Sequence, residues 1–351
     1  MTMKSPIRST ITLLVLMVSM NQLHAQKVGT TSLQYLKVMP TARATAMGDA
    51  YVSLARGADA VFWNPAGLAK IESQELTSTY TSWIFDTQLL ALAYDVPLGN
   101  VGNLGVQFQY VDYGTIKETR TETIDLVIGP NGEKIFNPGL TGRSFTPYSY
   151  LVGISFAKAI TDKFSAGGTL KYAMESLWAD QVVTSVNSVT GEVSNYKTYT
   201  NVLLFDFGMI YNTGFRSVQI GISVQNFGPQ VKFAKTSYPA PLAMRVGASA
   251  NVIGPEALLV KDESSTLTMA YDLFQPNDYD QQMHVGAEYC FADAIALRLG
   301  YKVGYDAEGL TYGGGIRTEL SGIGISFDYS YGKMDEFLNS VHRISLGVQF
   351  K

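Results

Sequence analysis

The chain has 351 residues, of which 46% are hydrophobic and 12% aromatic, and its formal net charge is -4 at pH 7. This negative balance argues against nucleic acid as a partner, because nucleic-acid binding depends on clustered Lys and Arg. The only cysteine, Cys290, excludes an intrachain disulfide framework, so stability must come from strand pairing and burial.

The first 25 residues are predicted to form a cleaved signal peptide. Lys4 and Arg8 precede an apolar core at 11–20, and a small-residue ending at 23–25 follows. The core is shorter than the about 20 apolar residues that cross a bilayer, which disfavours the alternative of an uncleaved membrane anchor. We therefore expect an exported protein that begins at Gln26 after cleavage.

The segment 26–74 is rich in small residues and turn formers. The residues that recur there at three- and four-residue spacing are Ala42, Ala46, Met47, Ala50, Tyr51 and Leu54. This spacing predicts a short amphipathic helix that ends near Gly57. Asp59 is a candidate cap for the next turn, and Asn64 before Pro65 matches an N-cap followed by proline at the first helical position.

From residue 75 to the end, polar and apolar residues alternate. At 217–225, for example, Val218, Ile220, Ile222 and Val224 share one face, and this period of two predicts strands. About fourteen segments follow the pattern, an even number as in single-chain bacterial barrels. They are 75–83, 87–96, 102–113, 149–159, 164–176, 201–211, 218–227, 242–252, 267–273, 282–290, 295–302, 310–317, 321–331 and 342–350.

The connections between these segments alternate in length. If both chain ends face the periplasm, the connections on the outside include the long stretches 114–148, 177–200 and 228–241. Those on the other side are tight turns, apart from 253–266, which is too long for one. Long loops at one end and short turns at the other are typical of an outer-membrane barrel, whereas a soluble sandwich is the alternative that shares the alternation.

The two faces of the predicted strands differ in chemistry. Tyrosines in or at the ends of strands suit a membrane interface: Tyr80, Tyr94, Tyr110, Tyr113, Tyr150, Tyr172, Tyr211, Tyr271, Tyr289, Tyr301, Tyr329 and Tyr331. The opposite face carries polar and charged residues: Gln107, Gln109, Lys171, Glu175, Arg245, Asp272, Glu288, Arg298, Lys302, Arg317 and Asp328. A lumen inside fourteen strands is wide, so we expect segment 26–74 to fill it as a hatch. The alternative places this segment outside, against the barrel rim.

Three stretches of segment 26–74 resemble the N-terminal signature of the PorV/PorQ family of outer-membrane proteins and, more distantly, of the FadL superfamily of long-chain fatty acid transporters. They are GDAY at 48–51, ADA at 58–60 and NPAGL at 64–68. The resemblance implies a fourteen-stranded barrel whose hatch carries the Asn-Pro-Ala motif. It implies a structural or gating role in that hatch for Gly48, Asp49, Ala50, Tyr51, Asp59, Ala60, Asn64, Pro65, Ala66 and Gly67.

The resemblance implies two functions, both non-enzymatic. PorV-like proteins take part in type IX secretion, so their partners would be secreted cargo proteins and other secretion-system subunits. FadL-like proteins pass hydrophobic small molecules through a gap in the barrel wall. Gly105 in the third strand is a candidate for a kink of the kind the transporters use, although ordinary barrel packing is the commoner reason for such a glycine.

Residues for catalysis or metal binding do not come together in the sequence. His284 and His342 fall on opposite faces of different strands, which disfavours a shared metal site or a hydrolytic pair. The acidic loop 277–280 is a candidate for Ca²⁺, but it falls short of a complete calcium loop and a solvated turn is favoured. We expect no enzyme activity, no metal and no cofactor.

Together these features predict an all-β transmembrane barrel of the Gram-negative outer membrane, with about fourteen antiparallel strands and an N-terminal helical hatch. The expected divisions are a signal peptide at 1–25, the hatch at 26–74 and the barrel at 75–351. The favoured function is a PorV/PorQ-like role in type IX secretion, binding and shuttling cargo at the outer membrane, because a charged lumen suits protein contact or a permanent plug. The alternative is a FadL-like passive transporter of long-chain fatty acids or other hydrophobic compounds.

Overall fold

The computed structural model describes residues 28–128, 130–178, 180, 182–186 and 190–350, so the predicted signal peptide lies outside the described residues. Within them, fourteen long antiparallel strands form one closed barrel. The strands are β1 (Gln74–Ser82), β2 (Gln88–Pro97), β3 (Asn103–Asp112), β4 (Tyr148–Ala159), β5 (Phe164–Ser176), β6 (Tyr199–Asn212), β7 (Gln219–Phe227), β8 (Ala243–Gly254), β9 (Ser265–Pro276), β10 (Gln282–Phe291), β11 (Ile295–Val303), β12 (Glu308–Leu320), β13 (Ile323–Met334) and β14 (Val341–Phe350).

The barrel closes through pairing of its first and last strands. β1 runs antiparallel to β14, from Gln74 opposite Phe350 to Ser82 opposite His342. Each strand pairs with two neighbours, so no barrel edge is left unpaired in lipid, where backbone groups find no other hydrogen-bond partners. The predicted fold class is confirmed, and every predicted strand overlaps one barrel strand with boundaries that differ by no more than three residues.

Strand β3 is paired without interruption on both sides. Its ten residues face β2 from Gln88 to Pro97 and β4 from Tyr148 to Ala157, with no shift in register. Gly105 therefore does not mark a break in the wall. A Cβ atom at this glycine would lie 2.6 Å from Val61 Cγ1 and 2.8 Å from Leu68 Cδ1, so the glycine makes room for the segment inside the barrel.

The two ends of the barrel differ. At the long-loop end, three connections contain β-hairpins that were expected only as loops: Ile116–Ile128 with Lys134–Phe145, Val182–Val186 with Val193–Lys197, and Val231–Phe233 with Thr236–Tyr238. At the opposite, short-turn end, the connections are tight except after β8. There Val260–Lys261 pairs in parallel with Ile253 and Gly254, so the long connection folds back onto the barrel wall.

Alternation along the strands separates a lipid face from a lumen face. Apolar side chains such as Leu297 and Leu299 point outward, and they are 62% and 56% exposed. The predicted polar face points into the lumen and is buried, except that Arg317 is half-buried. The hydrophobic core consists mainly of residues 33–68 packed against small and apolar residues of the wall.

The segment inside the barrel is built from short helical turns. They are a 3₁₀ turn at Gln34–Lys37, helix α1 (Ala42–Ala46), helix α2 (Ala60–Trp63) and a 3₁₀ helix at Pro65–Lys70. The prediction of one helix ending near Gly57 is wrong, because the chain turns at Gly48 and Asp49, both at positive φ. Among the described residues, no helix has the length and apolar character to cross a membrane.

The outward direction of Leu299, in the middle of β11, leads to a test of the lipid face. Leu299→Arg is expected to lower the free energy of unfolding in lipid vesicles by about 2–4 kcal/mol, because it places a charge in hydrocarbon. The matched control is Leu259→Arg, at a 78% exposed position of the short-turn end, which is expected to change it by about 0.5 kcal/mol or less. Urea titration followed by tryptophan fluorescence measures both, and equal effects would contradict the assignment of the lipid face.

Candidate functional site

The hatch, residues 28–73, runs through the lumen from the long-loop end to the short-turn end. At the long-loop end, Lys37 Nζ lies 2.7 Å from Asp278 Oδ1, and the backbone N–H of Ser32 donates to the Pro239 carbonyl at 3.0 Å. At the short-turn end, Lys70 Nζ donates to the Asp162 carbonyl at 2.9 Å, and β1 follows. The segment is therefore held at both ends of the barrel.

Asp278 belongs to the acidic loop 277–280, the calcium candidate of the sequence. Burial of its carboxylate opposes ionisation, but hydrogen bonds from Lys37, Thr31 and Gln34 outweigh this and lower the pKa of Asp278. The loop therefore anchors the start of the hatch. Among the described residues, no group of three or more His, Cys, Asp or Glu is placed to hold a metal ion.

The segment 48–51 turns sharply against the wall. Gly48 and Asp49 adopt φ values of 65° and 66°, and Asp49 Oδ2 lies 2.7 Å from Lys302 Nζ. The following backbone N–H groups of Tyr51 and Val52 both donate to Asp272 Oδ2, at 2.8 and 2.9 Å. A carboxylate on strand β9 thus pairs with two backbone N–H groups that would have found carbonyl partners inside a longer helix.

Asn64 is the most completely bonded polar side chain of the predicted motif. It is fully buried, and its Nδ2 group shares its two hydrogens among the carbonyl oxygens of Val52 at 2.9 Å, Met209 at 3.1 Å and Ile222 at 3.3 Å. Its Oδ1 atom accepts from Ala66 N–H at 3.2 Å, which confirms the predicted N-cap before Pro65. One amide therefore ties two parts of the hatch to strands β6 and β7.

Other polar side chains of the wall also bond the hatch backbone. Gln107 Nε2 donates to the Val61 carbonyl at 3.2 Å, and Gln225 Nε2 donates to the Phe62 carbonyl at 2.7 Å. Asn103 Nδ2 reaches the carbonyl of Leu68 at 2.6 Å. Each such bond contributes about 1 kcal/mol, and leaving the carbonyl unpaired would cost more.

Glycines of the wall let the hatch backbone approach at van der Waals distance. At each of them an added Cβ would lie within 3 Å of a hatch atom, and we call this set the glycine track: Gly105, Gly167, Gly208, Gly221, Gly247, Gly286, Gly300 and Gly313. At Gly300, for example, the Cβ would lie 2.0 Å from Gly48 N. At Gly167, Gly221, Gly286 and Gly300 the nearest hatch atoms belong to the backbone, so they cannot rotate away as a flexible side chain would.

Several charges in the lumen are paired with one another. Arg43 of the hatch lies 2.7 Å from Glu288, which also accepts from Arg298 at 2.6 Å. Nη1 of Arg298 lies 2.6 Å from Oδ1 of Asp328. Removing one partner of a buried pair costs about 3–5 kcal/mol, so these contacts resist displacement of the hatch.

The hatch separates two cavities. A wide vestibule of ≈ 1370 Å³ opens at the short-turn end. The hatch contributes to its lining with Arg43, Tyr51, residues 54–57, Asp59, residues 66–67 and residues 70–73. A smaller cavity of ≈ 260 Å³ opens at the long-loop end beside Asp49. The two cavities share no lining residue. The charged side chains Arg56 and Asp59 face the vestibule, and Asp59 accepts from Thr77 Oγ1 at 3.0 Å.

The residues singled out in the sequence lie along the hatch and do not form one chemical centre. The stretch 48–51 contacts strands β9 to β11, Asp59 lies beside β1, and 64–67 lies against β5 and β6. Alternation predicted the lumen direction of Asp272, but no local signal linked it to the turn at 48–51. Its pairing with the hatch spans more than 200 residues of sequence. The gating role implied by the resemblance stays a prediction.

Comparison with known families gives a match over most of the chain. A family model described as Type IX secretion system protein PorV matches residues 21–258. The matched range includes the hatch, strands β1 to β8 and the three long-loop hairpins. A search of curated proteins finds no match.

Similar solved structures are outer-membrane transporters. The toluene transporter TodX of Pseudomonas putida is 13% identical with a TM-score of 0.54, and the alignment covers 87% of this chain and 96% of that one. The CymD monoaromatic hydrocarbon channel is 13% identical with a TM-score of 0.51, covering 88% and 96%. A FadL homologue of Pseudomonas aeruginosa is 12% identical with a TM-score of 0.49, covering 89% and 98%. At these identities, the likeness to TodX and CymD shows the fold alone.

The glycine track is tested by adding one methyl group. Gly300→Ala is expected to destabilise the barrel by about 1–3 kcal/mol, because the new Cβ overlaps the hatch backbone. Gly309→Ala is the matched control on the next strand, where the nearest atom lies at 3.7 Å, and it is expected to change stability by about 1 kcal/mol or less. Urea unfolding measures both variants, and an unaffected Gly300→Ala protein would show that the hatch does not rest on β11.

The bonding of Asn64 is tested by two substitutions. Asn64→Ala is expected to cost about 2–3 kcal/mol, because two amide hydrogens shared among three carbonyls are lost, and Asn64→Asp is expected to cost more because a carboxylate would face these carbonyls. Asn277→Ala, which removes a single bond to the Ala240 carbonyl, is the control and is expected to cost about 1 kcal/mol. The free energy of unfolding is measured for each of the three variants, and the losses are compared. Equal losses at positions 64 and 277 would contradict the role of Asn64.

Proposed function

The chain belongs to the PorV family, and from this we propose that it binds secreted cargo proteins at the outer membrane and shuttles them within type IX secretion. The family match over residues 21–258 is the observation that carries the proposal. We place the long-loop end at the cell surface, because the long loops of outer-membrane barrels face outward. Cargo would then dock on this end, and other secretion-system subunits would be further partners.

The blocked lumen supports a binding role over a passage role. The hatch is bonded at both ends, rests on the glycine track and separates two cavities that share no lining residue. The lumen is also lined by paired charges, which provide no apolar path for a hydrophobic molecule.

We propose, in addition, that the protein is not an enzyme.

The long-loop hairpins offer a surface for a protein partner. The hairpin platform consists of the hairpins at 116–145, 182–197 and 231–238. The ring of Phe145 in the first hairpin lies 4.2 Å from that of Trp178, which precedes the second hairpin. Lys235 Nζ of the third hairpin lies 5.1 Å from the Tyr196 ring centroid of the second. These contacts hold the hairpins together in one surface, and exposed aliphatic and aromatic groups on it suit a protein interface.

The first hairpin is stiffened by a buried carboxylate. Glu118 is 2% exposed and accepts from Arg120 at 2.8 Å and from Thr141 Oγ1 at 2.9 Å. Arg143 approaches the same carboxylate at 3.5 Å. The apolar groups Ile128 and Phe136 on this hairpin are 77% and 63% exposed, which makes them available to a partner.

The proposal is tested by deleting the gene and complementing it with variants. Deletion is expected to abolish delivery of secreted cargo to the cell surface, and Ile128→Ser with Phe136→Ser is expected to reduce it several-fold. The matched control is Phe215→Ser with Leu259→Ser at the short-turn end, where the two residues are 64% and 78% exposed and delivery is expected to be restored. Quantitative proteomics of the surface and medium gives the readout.

The deletion strain also separates secretion from transport. An unchanged secreted proteome together with lost uptake of hydrophobic compounds would overturn the proposal and favour a transporter. Equal restoration by the platform variant and by its control would exclude Ile128 and Phe136 as docking residues. Unboiled gel migration checks that each variant is folded in the membrane.

A further inference from the structure

The smaller cavity, here called the surface pocket, lies at the long-loop end beside the loops 277–281 and 304–307. Its volume is ≈ 260 Å³, and its walls include Trp83, Phe274 and Tyr305. Pockets for drug-sized ligands begin at about 300 Å³, so this one fits only a compact molecule. No residue of the predicted hatch motif except Asp49 lines it.

Four cations line the surface pocket, and two of them are neutralised by carboxylates. Lys37 lies 2.7 Å from Asp278 Oδ1. Lys302 lies 2.7 Å from Asp49 and 2.6 Å from Glu308. These two lysines therefore have counter-ions and need no ligand.

The other two cations are buried arginines without a carboxylate. Arg245 and Arg343 are 3% and 4% exposed, and no carboxylate among the described residues lies within 4.0 Å of either. Arg343 Nε donates to the Met39 carbonyl at 3.1 Å, whereas Arg245 Nε has no hydrogen-bond partner in the described part of the chain. A buried charge is costly unless it is paired, so these two guanidinium groups are the unusual feature of the pocket.

Aromatic rings hold the two guanidinium groups in place. Arg245 lies 4.0 Å above the ring centroid of Phe274, and Arg343 lies 5.2 Å from that of Trp83. Stacking on an aromatic face positions a guanidinium but uses none of its five N–H donors. Donors therefore remain for a ligand in the pocket.

The neutral side chain of His284 leaves the Tyr305 hydroxyl free as one more donor. Arg245 Nη1 lies 3.2 Å from His284 Nδ1, and His284 Nε2 lies 2.8 Å from the Tyr305 hydroxyl. Arginine can only donate, so Nδ1 must accept and the ring proton must lie on Nε2, which donates to the Tyr305 oxygen. The hydroxyl hydrogen of Tyr305 is then available to a ligand.

The acids of the pocket wall are already engaged. Asp49 and Glu308 contact Lys302, and Asp306 accepts from the Tyr279 hydroxyl. Asp49 and Glu308 act on the two arginines only from beyond contact distance, so the guanidinium donors lack a carboxylate acceptor of their own. A carboxylate or phosphate group supplies several acceptor oxygens in a geometry that matches arginine.

We propose that the surface pocket binds a compact oxyanion, a carboxylate or phosphate group on a small molecule, through the guanidinium groups of Arg245 and Arg343. The site faces the cell exterior and goes beyond the secretion role, on which it does not depend. A small-molecule site is compatible with a blocked lumen, because the pocket ends at the hatch.

The test uses calorimetric titration of the full mature protein in a non-ionic detergent, in a buffer free of carboxylate and phosphate. Benzoate and inorganic phosphate are the two anionic probes, and benzyl alcohol is the neutral match for benzoate. Saturable binding of at least one anion with a Kd of about 1 mM or tighter is expected, with no binding of benzyl alcohol. Binding of benzoate alone would identify a carboxylate ligand, and binding of phosphate alone would identify a phosphate ligand. Either result supports the site.

Variants assign the binding to the two arginines. Arg245→Gln and Arg343→Gln are each expected to weaken binding at least tenfold, whereas Lys261→Gln, at a 77% exposed position of the short-turn end, is expected to leave it unchanged. Arg245→Lys keeps the charge but loses the fork of donors, and it covers the case in which Arg245→Gln fails to fold. Absence of anion binding by the unmodified protein, equal binding of benzyl alcohol, or binding that survives both Arg→Gln changes would overturn the proposal.

Discussion

Pairing of strand Gln74–Ser82 with strand Val341–Phe350 is the interaction on which the rest of the molecule depends. Hydrocarbon offers no partner for backbone N–H and C=O groups, so a membrane-spanning sheet must close on itself. Closure at fourteen strands leaves a lumen that the side chains of the wall cannot fill by themselves. The first part of the same chain fills it, and the shape of the hatch follows from that requirement.

A plug made of short helical turns has many backbone groups without partners in its own helices. The wall supplies these partners through Asp272, Gln225 and Asn103, and the glycine track brings wall and hatch into contact. Contacts between two backbones fix position more strictly than contacts between flexible side chains, because neither partner can rotate away. The buried ion pair between Arg43 and Glu288 adds to this resistance, since separating the partners would leave uncompensated charges.

The likeness to TodX and CymD concerns the barrel fold, and a shared fold does not decide the function. In this chain, β3 is paired along its whole length, and the lumen is charged and blocked. The extended surface lies instead on the hairpins at 116–145, 182–197 and 231–238, which all fall inside the range of the PorV match.

The sequence by itself determined the barrel, because lipid and lumen impose opposite chemistry on alternate residues and leave a period of two that can be read locally. It also determined the cap of Asn64 before Pro65, since that signal lies within three residues. Only the tertiary structure decided where helix α1 ends, which wall residues bond the hatch, and that Arg245 and Arg343 face one pocket with no carboxylate in contact with either. Those outcomes depend on contacts between residues far apart in the chain, which no local pattern encodes. The hairpins in the long loops were missed for a related reason: their strands lack the lipid on one side and the lumen on the other that produce a clear alternation.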